Sequence, residues 1–530
     1  MVRQYFLQGV VSLLFVVCSP AAHSFNPFES LSKALNSDTG QTSQDDTGGA
    51  QPAGSTQSGR LNRGSASGRQ VVYEGYARDM LPVKQKLADG EIDDAIETKQ
   101  KQYPKPEDHD VLAHLELGAL SLDAAKFREA QDHFTHAEQG QVEQKDRSTV
   151  GGFFSSVRDT TISTVTGNEE LGEYQGPGFE RVLMLNYKSI AYMLDGDRKA
   201  YNVTRRAIDL QNIEKKKFDE QVRAAEQEIA ENKKEQKEKG ADLEKVGFDA
   251  VVEEQYQAAD RLAKKVPSAF VNPFGFYMAG VVQELDSYED RSLRDNARIS
   301  YQKALELNPN SSVIKQAVNS LKKPPRKDSR LVHVVVGDGF APEKKLLKFD
   351  LSMGLAMPTE IELPIYEPVP SQVHRIEIQT TKGKRWAKLS EVADITALAL
   401  RYQQDASPLA QLRMMTTVIR NVVEGHAWNQ AARQSGILGG LVMAVKQERD
   451  AMVHPDMRAW TTLPSRLLAG RFHVPKWVSV IKLTVYDEQD RVLNSRVVKI
   501  DKNSHNFVYA RTIDKTLYTA SSDEMWVGMR

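Results

Sequence analysis

Only one of the 530 residues is a cysteine, Cys18, so no disulfide can form within the chain. Net charge is nearly absent as well. With 70 Lys and Arg against 71 Asp and Glu the formal charge is −1, and no global field draws the chain to nucleic acid or anionic lipid. Long apolar runs are missing. The first, Phe6 to Cys18, is 13 residues long and broken by Gln8, Gly9 and Ser12. The later run Gly436 to Val445 is 10 residues, and a bilayer-spanning helix needs about 20. No His-x3-His pair encloses an acid on a plausible helix, and no Lys-Ser/Thr follows Gly439-Gly440, so zinc-hydrolase and phosphate-loop chemistry find no motif.

What is present begins with a secretory signal over 1–24. Arg3 supplies positive charge, the apolar run follows, and Ala22-His23-Ser24 places small residues three and one before a cut, with Phe25 next. Lipidation of Cys18 is the alternative, although Val17 is bulkier than the small residue that lipoprotein signals carry there. Residues 25–72 are rich in Ser, Gly, Gln, Thr and Asp and poor in apolar side chains after Leu35. Such a stretch buries too little surface to offset its ordering entropy and is expected to be a flexible tether. Ser30-x-x-Lys33 within it is an accidental match to a nucleophile motif.

From 73 to 321 the apolar period is helical. Gly118, Ala130, Phe134 and Ala137 fall at the offsets of one helix-pair repeat. Its second helix recurs as Ala297-x3-Tyr301-x2-Ala304-x4-Pro309. Small residues at these positions let two helices approach, and the aromatic fills the gap. A further unit covers 179–210, with Tyr187, Ala191, Tyr192, Ala200 and Ala207 around an Asp195-Gly196-Asp197 turn. These residues resemble tetratricopeptide (TPR) repeats. The resemblance implies stacked helix pairs that present a groove for another protein and carry out no catalysis.

Residues 211–265 form a charged helical insertion of mixed sign, and 146–178 read as a long loop. Lys322 to Lys327, with Pro324-Pro325, end the helical region. Beyond it the period becomes 2. Strands are expected at Leu331–Val336, Leu346–Leu351, Ile361–Ile365 and Val373–Ile378, with a Lys382-Gly383 turn, and at Val478–Tyr486 and Val492–Ile500. A helical insert is expected at about 390–452. The fold class is thus α + β and multidomain: a TPR-like array followed by a β-rich, sandwich-like domain over 328–530.

Three stretches resemble a poorly characterised family of bacterial envelope proteins with this domain order. They are Tyr174-x-Gly176-x-x-Phe179-Glu180 with its continuation to Asp197, Val334-x-x-Gly337-Asp338-Gly339-x-Ala341-Pro342, and Asp456-x-Arg458-x-Trp460-x-x-Leu463-Pro464. The likeness implies an envelope location and lipoprotein ancestry and supplies no catalytic residues. Asp456, Arg458 and Trp460 are expected to form a structural unit, an ion pair beside a large aromatic that sets how the helical insert meets the sheet. The expected reading is a secreted, periplasmic scaffold, with His114, Ser121, Asn186 and Gln283 as candidate groove residues and another envelope protein as partner. No cofactor, metal or nucleic acid is expected, and membrane contact only through lipidation or peripheral docking. A structural outer-membrane lipoprotein is one alternative. A cell-envelope hydrolase is another, and it would need Glu424, His426 and Asp456 to meet in one cleft.

Overall fold

The computed structural model describes residues 75–103, 110–150, 174, 176–238, 247–351, 359–419 and 455–522, all within one compact unit, Ser58–Arg530. The signal and tether segments, Cys18, most of the 146–178 loop, Glu424, His426 and the Gly436–Val445 run lie outside the described residues.

Helices come first: α1 (Gly75–Asp79), α2 (Leu81–Asp89), α3 (Ile92–Gln102), α4 (Val111–Asp123), α5 (Phe127–Val150), α6 (Gly178–Leu194), α7 (Lys199–Glu238), α8 (Phe248–Tyr256), α9 (Asp260–Ala263), α10 (Pro273–Asp286), α11 (Leu293–Leu307) and α12 (Ser312–Leu321). Successive members pack as hairpins: α2 on α3, α4 on α5, α6 on α7 and α10 on α11. Three of the first helices stop in the same way. Glu91 N donates to Lys86 O, Lys126 N to Ser121 O, and Asp197 N to Tyr192 O. The preceding residue is left-handed each time: Gly90 at φ 90°, Ala125 at 59° and Gly196 at 74°. Close approach within the hairpins depends on missing side chains. A Cβ on Gly118 would stand 2.7 Å from the Phe134 ring, and one on Gly280 would stand 2.7 Å from the Tyr301 ring. The same glycine–aromatic interlock therefore closes both pairs. The charged insertion begins as an unbroken extension of α7. It is not solvated all round, because Phe218, Ala225 and Ile229 form a buried stripe.

Eleven strands follow among the described residues, in three sheets of five, four and two strands, the last a ribbon. Central β1 (Ser329–Asp338) runs antiparallel to β7 (Arg466–Pro475) and parallel to β10 (Asn506–Ile513). Strand β11 (Thr516–Ser521) flanks β10 and β6 (Ser390–Asp394) flanks β7. Strand β4 (Arg375–Gln379) pairs with β5 (Arg385–Lys388) and with β8 (Val480–Tyr486), whose other neighbour is β9 (Val492–Lys499). The ribbon, β2 (Glu343–Leu351) and β3 (Thr359–Glu367), shares a satellite core with α7, α8 and residues 412–418. Helix α13 (Ile395–Asp405) follows β6.

The five-stranded sheet is covered on both faces, which is why β1 reads as an almost continuous apolar run. Val332, Val334, Val336, Phe472 and Val508 face the four-stranded sheet across one core. Val335, Leu467, Ala469, Phe507 and Tyr509 face the helices across another. The earlier helices lie toward one edge of the sheet and the later ones toward the other: α4 touches β11 and α6 touches β10, while α10 touches β6 and α12 touches β7 and β6. The helices therefore share one core with the five-stranded sheet, the two sheets enclose another, and Lys322–Lys327 is an exposed connection from α12 into β1.

Candidate functional site

Helix α4, Val111–Asp123, is buried along its whole length, so its one glutamate must find donors inside the protein. Glu116 finds them 345 residues away. Its carboxylate accepts from Thr461 N at 2.9 Å, Thr461 Oγ1 at 3.0 Å and Thr462 N at 3.1 Å, and from the Thr462 hydroxyl. Glu180, near the start of α6, accepts from Trp460 N at 3.2 Å and from the Tyr174 hydroxyl at 2.5 Å. Three successive backbone N–H groups of an irregular segment are thus met by helix carboxylates. The Trp460 ring sits 6.1 Å from Phe134 and 5.6 Å from Tyr187, centroid to centroid, and its Nε1 donates to Thr462 Oγ1. Just before it, Asp456 accepts Arg458 Nε and Nη2, both at 2.9 Å, and the guanidinium lies 5.5 Å from the Tyr174 ring centre. Lys344 of β2 donates to the carbonyls of both Asp456 and Arg458. Burial pushes the Glu180 carboxyl up to about 7, although Tyr174, Lys344 and the Trp460 N–H all favour the ionised form.

Two further acids reach from the helices into the sheet. Glu284 of α10 takes both Arg471 Nε and Nη2 and the Tyr301 hydroxyl. His333 Nε2 approaches it to 3.2 Å without the alignment of a hydrogen bond. Burial opposes the ionised form of Glu284, but the Arg471 guanidinium outweighs it and holds the carboxyl well below the usual range. Asp123 accepts the Tyr509 hydroxyl at 2.9 Å and stands 3.6 Å from Arg511. Burial pushes its carboxyl up to about 6 against the pull of Arg511 and Tyr509.

The packing residues Ala130, Phe134, Ala137, Ala297, Tyr301 and Ala304 are fully buried, and Pro309 is exposed just beyond the end of α11. The four candidate groove residues need correcting. His114, Ser121, Asn186 and Gln283 are only 4%, 1%, 0% and 9% exposed. His114 Nδ1 lies 2.9 Å from His133 Nδ1, and Gln283 Oε1 accepts from Ser300 Oγ. All four are enclosed within the chain, and the partners seen for His114 and Gln283, His133 and Ser300, stand on neighbouring helices. Asp456, Arg458 and Trp460 form the expected ion pair and aromatic, and the Trp460 ring packs on Phe134 of α5 and Tyr187 of α6.

For the hydrolase alternative, Asp456 is engaged with Arg458, and Glu424 and His426 lie outside the described residues. Among the described residues no group of three His, Cys, Asp or Glu is arranged to hold a metal, and no helix is long and apolar enough to cross a membrane. Sequence reasoning missed Glu116 and Glu284. The available signal was a lone acid inside an apolar helical stretch, Leu115-Glu116-Leu117 and Val281-Val282-Gln283-Glu284-Leu285. No protein-family model matches this chain, no curated protein matches it, and no solved structure matches it.

Proposed function

We propose that this chain is a non-enzymatic scaffold of the bacterial cell envelope, built on TPR-like helix pairs, that holds another envelope protein. The capture of Trp460, Thr461 and Thr462 by Glu116 and Glu180 carries this reading. Helix hairpins that grip an extended segment through its backbone use peptide-recognition chemistry, here turned on the same chain. A groove that holds its own segment locks helices and sheet into one frame and leaves partner contact to the outward helices. Among the described side chains, the second helices α5, α7 and α11 each carry one exposed large apolar residue: Val142, Ile213 and Ile299.

Site-specific photo-cross-linkers test the assignment. Placed at Val142, Ile213 and Ile299 in cells, they are expected to trap one recurring envelope protein, while a cross-linker on the sheet edge at Lys388 traps none. Equal recovery from all four positions, or no recovery from the three helices, would overturn the scaffold reading.

A further inference from the structure

A formal charge of −1 averages over an uneven surface. In the two-sheet stack, β1 and the parallel strand β10 begin at the same end at which β7 finishes. Three connections therefore meet there: 322–328 entering β1, 475–479 leaving β7, and 499–505 leading into β10. They contain seven Lys or Arg against two Asp, Asp328 and Asp501. Lys322, Lys323, Arg326, Lys327, Lys476 and Lys502 are exposed, while Asp501 is partly covered and accepts from Ser504 Oγ and Asn503 N. Buried Arg330 ties the connections together by donating to Val478 O and Ser504 O. The adjoining α10–α11 turn adds one exposed carboxylate without a cation beside it, Asp290, hydrogen-bonded to Ser292, and this is matched in number by exposed Arg291, while Glu289 pairs with Arg198. Amid these cations stands Trp477, which is 77% exposed.

We propose that this end of the stack docks on an anionic lipid bilayer, with the cations at the headgroups and Trp477 inserted at the interface. Like-signed charge on three anchored connections complements a negative leaflet. Tryptophan prefers the headgroup level because its ring is apolar while its N–H stays hydrated. A soluble polyanion would use the cations and leave the indole in water, so the exposed Trp477 favours a bilayer. The inference stands on surface residues that the scaffold assignment does not use, and the two can fail separately.

The test uses the full chain in co-sedimentation with phosphatidylcholine vesicles, with and without phosphatidylglycerol. Binding is expected only with phosphatidylglycerol and is expected to weaken at high salt. Each cation near an anionic surface contributes about fivefold to partitioning, so R326E/K327E/K476E together should lower it by about 100-fold or more. W477A should lower it severalfold without changing the unfolding midpoint. Heparin serves as the polyanion control. The proposal is overturned by absence of binding, or by equal binding to uncharged vesicles. It is overturned if the triple variant binds as the parent does, which would place attachment in the N-terminal apolar run. It is overturned if W477A leaves vesicle binding intact while heparin binds as tightly as the vesicles.

Discussion

The two faces of the five-stranded sheet are built from different chemistry. Toward the second sheet the contacts are aliphatic and aromatic, Val332, Val334, Val336, Phe472 and Val508 against Ile376, Ile481 and Leu483. Toward the helices the same three strands present His333, Arg471, Tyr509 and Arg511, met by Glu284 and Asp123. An apolar face tolerates small slips, since any apolar neighbour serves. A buried charge accepts only a partner in the right place, so the ionic face selects one placement of the helices at some cost in desolvation. The helix-facing side thus adds ionic selection to an apolar core of its own.

The sharpest break of that contrast is at Glu284. Glu284→Gln strands a buried guanidinium and is expected to lower stability by about 3 to 5 kcal/mol in urea unfolding. The pair replacement Glu284→Leu with Arg471→Met should recover most of the loss. A single variant costing under about 1 kcal/mol would show that the ionic face does not hold the helices. Next come the hairpin interlocks, which are apolar although they lie on the helical side. Gly118→Ala and Gly280→Ala drive a Cβ into Phe134 and Tyr301 and should each cost about 2 to 3 kcal/mol. Gly275→Ala, where the new atom meets Asn186 at an ordinary 3.5 Å, is the control and should be near neutral.

Glu180 distinguishes the faces through pH. Its folded value of about 7 lies above the unfolded one, so the folded protein keeps a proton that the unfolded chain has released. That stability is fully present below about pH 4.5 and is lost as pH rises through about 7. Relative to the parent, Glu180→Gln should therefore gain about 2 kcal/mol between pH 5 and pH 8, followed by the unfolding midpoint at each pH. The comparison needs the parent because His133, His473 and His505, each held down to about 4 with burial the leading cause, act with the opposite sign over part of that range. The smallest effect is at Ala125, a left-handed residue where the matching turns carry Gly90 and Gly196. Ala125→Gly should stabilise by about 0.5 kcal/mol in the same assay, and a loss would mean that the methyl packs usefully.

Much of the helical part was legible because its contacts are local. Gly118 and Phe134 are neighbours across one turn, and the Asp195–Asp197 turn and the Val480–Tyr486 hairpin with β9 declare themselves through period and turn residues. Strands β6, β7, β10 and β11 went unrecognised, and β6 occupies the start of the stretch expected to be a helical insert, where only Ile395 onward is helical. Leu467 to Ala469 is an apolar run without alternation, only Arg471 to Val474 alternate, and β10 borrows its partner from β1, more than 170 residues earlier. The candidate groove residues failed for a related reason. Polarity beside a helix contact looks the same in sequence whether its partner is another protein or the chain itself.

Composition and periodicity alone determined that the chain forms close-packed helix pairs followed by strands, since a missing Cβ and an apolar stripe act over one or two turns. Only the tertiary structure decided that Glu116 would close on Thr461 and Thr462, that the earlier and later helices would cover opposite edges of the sheet, and that seven cations would gather at one end. A buried carboxylate requires donors wherever the fold can supply them, and nothing in the local pattern records a partner 345 residues away.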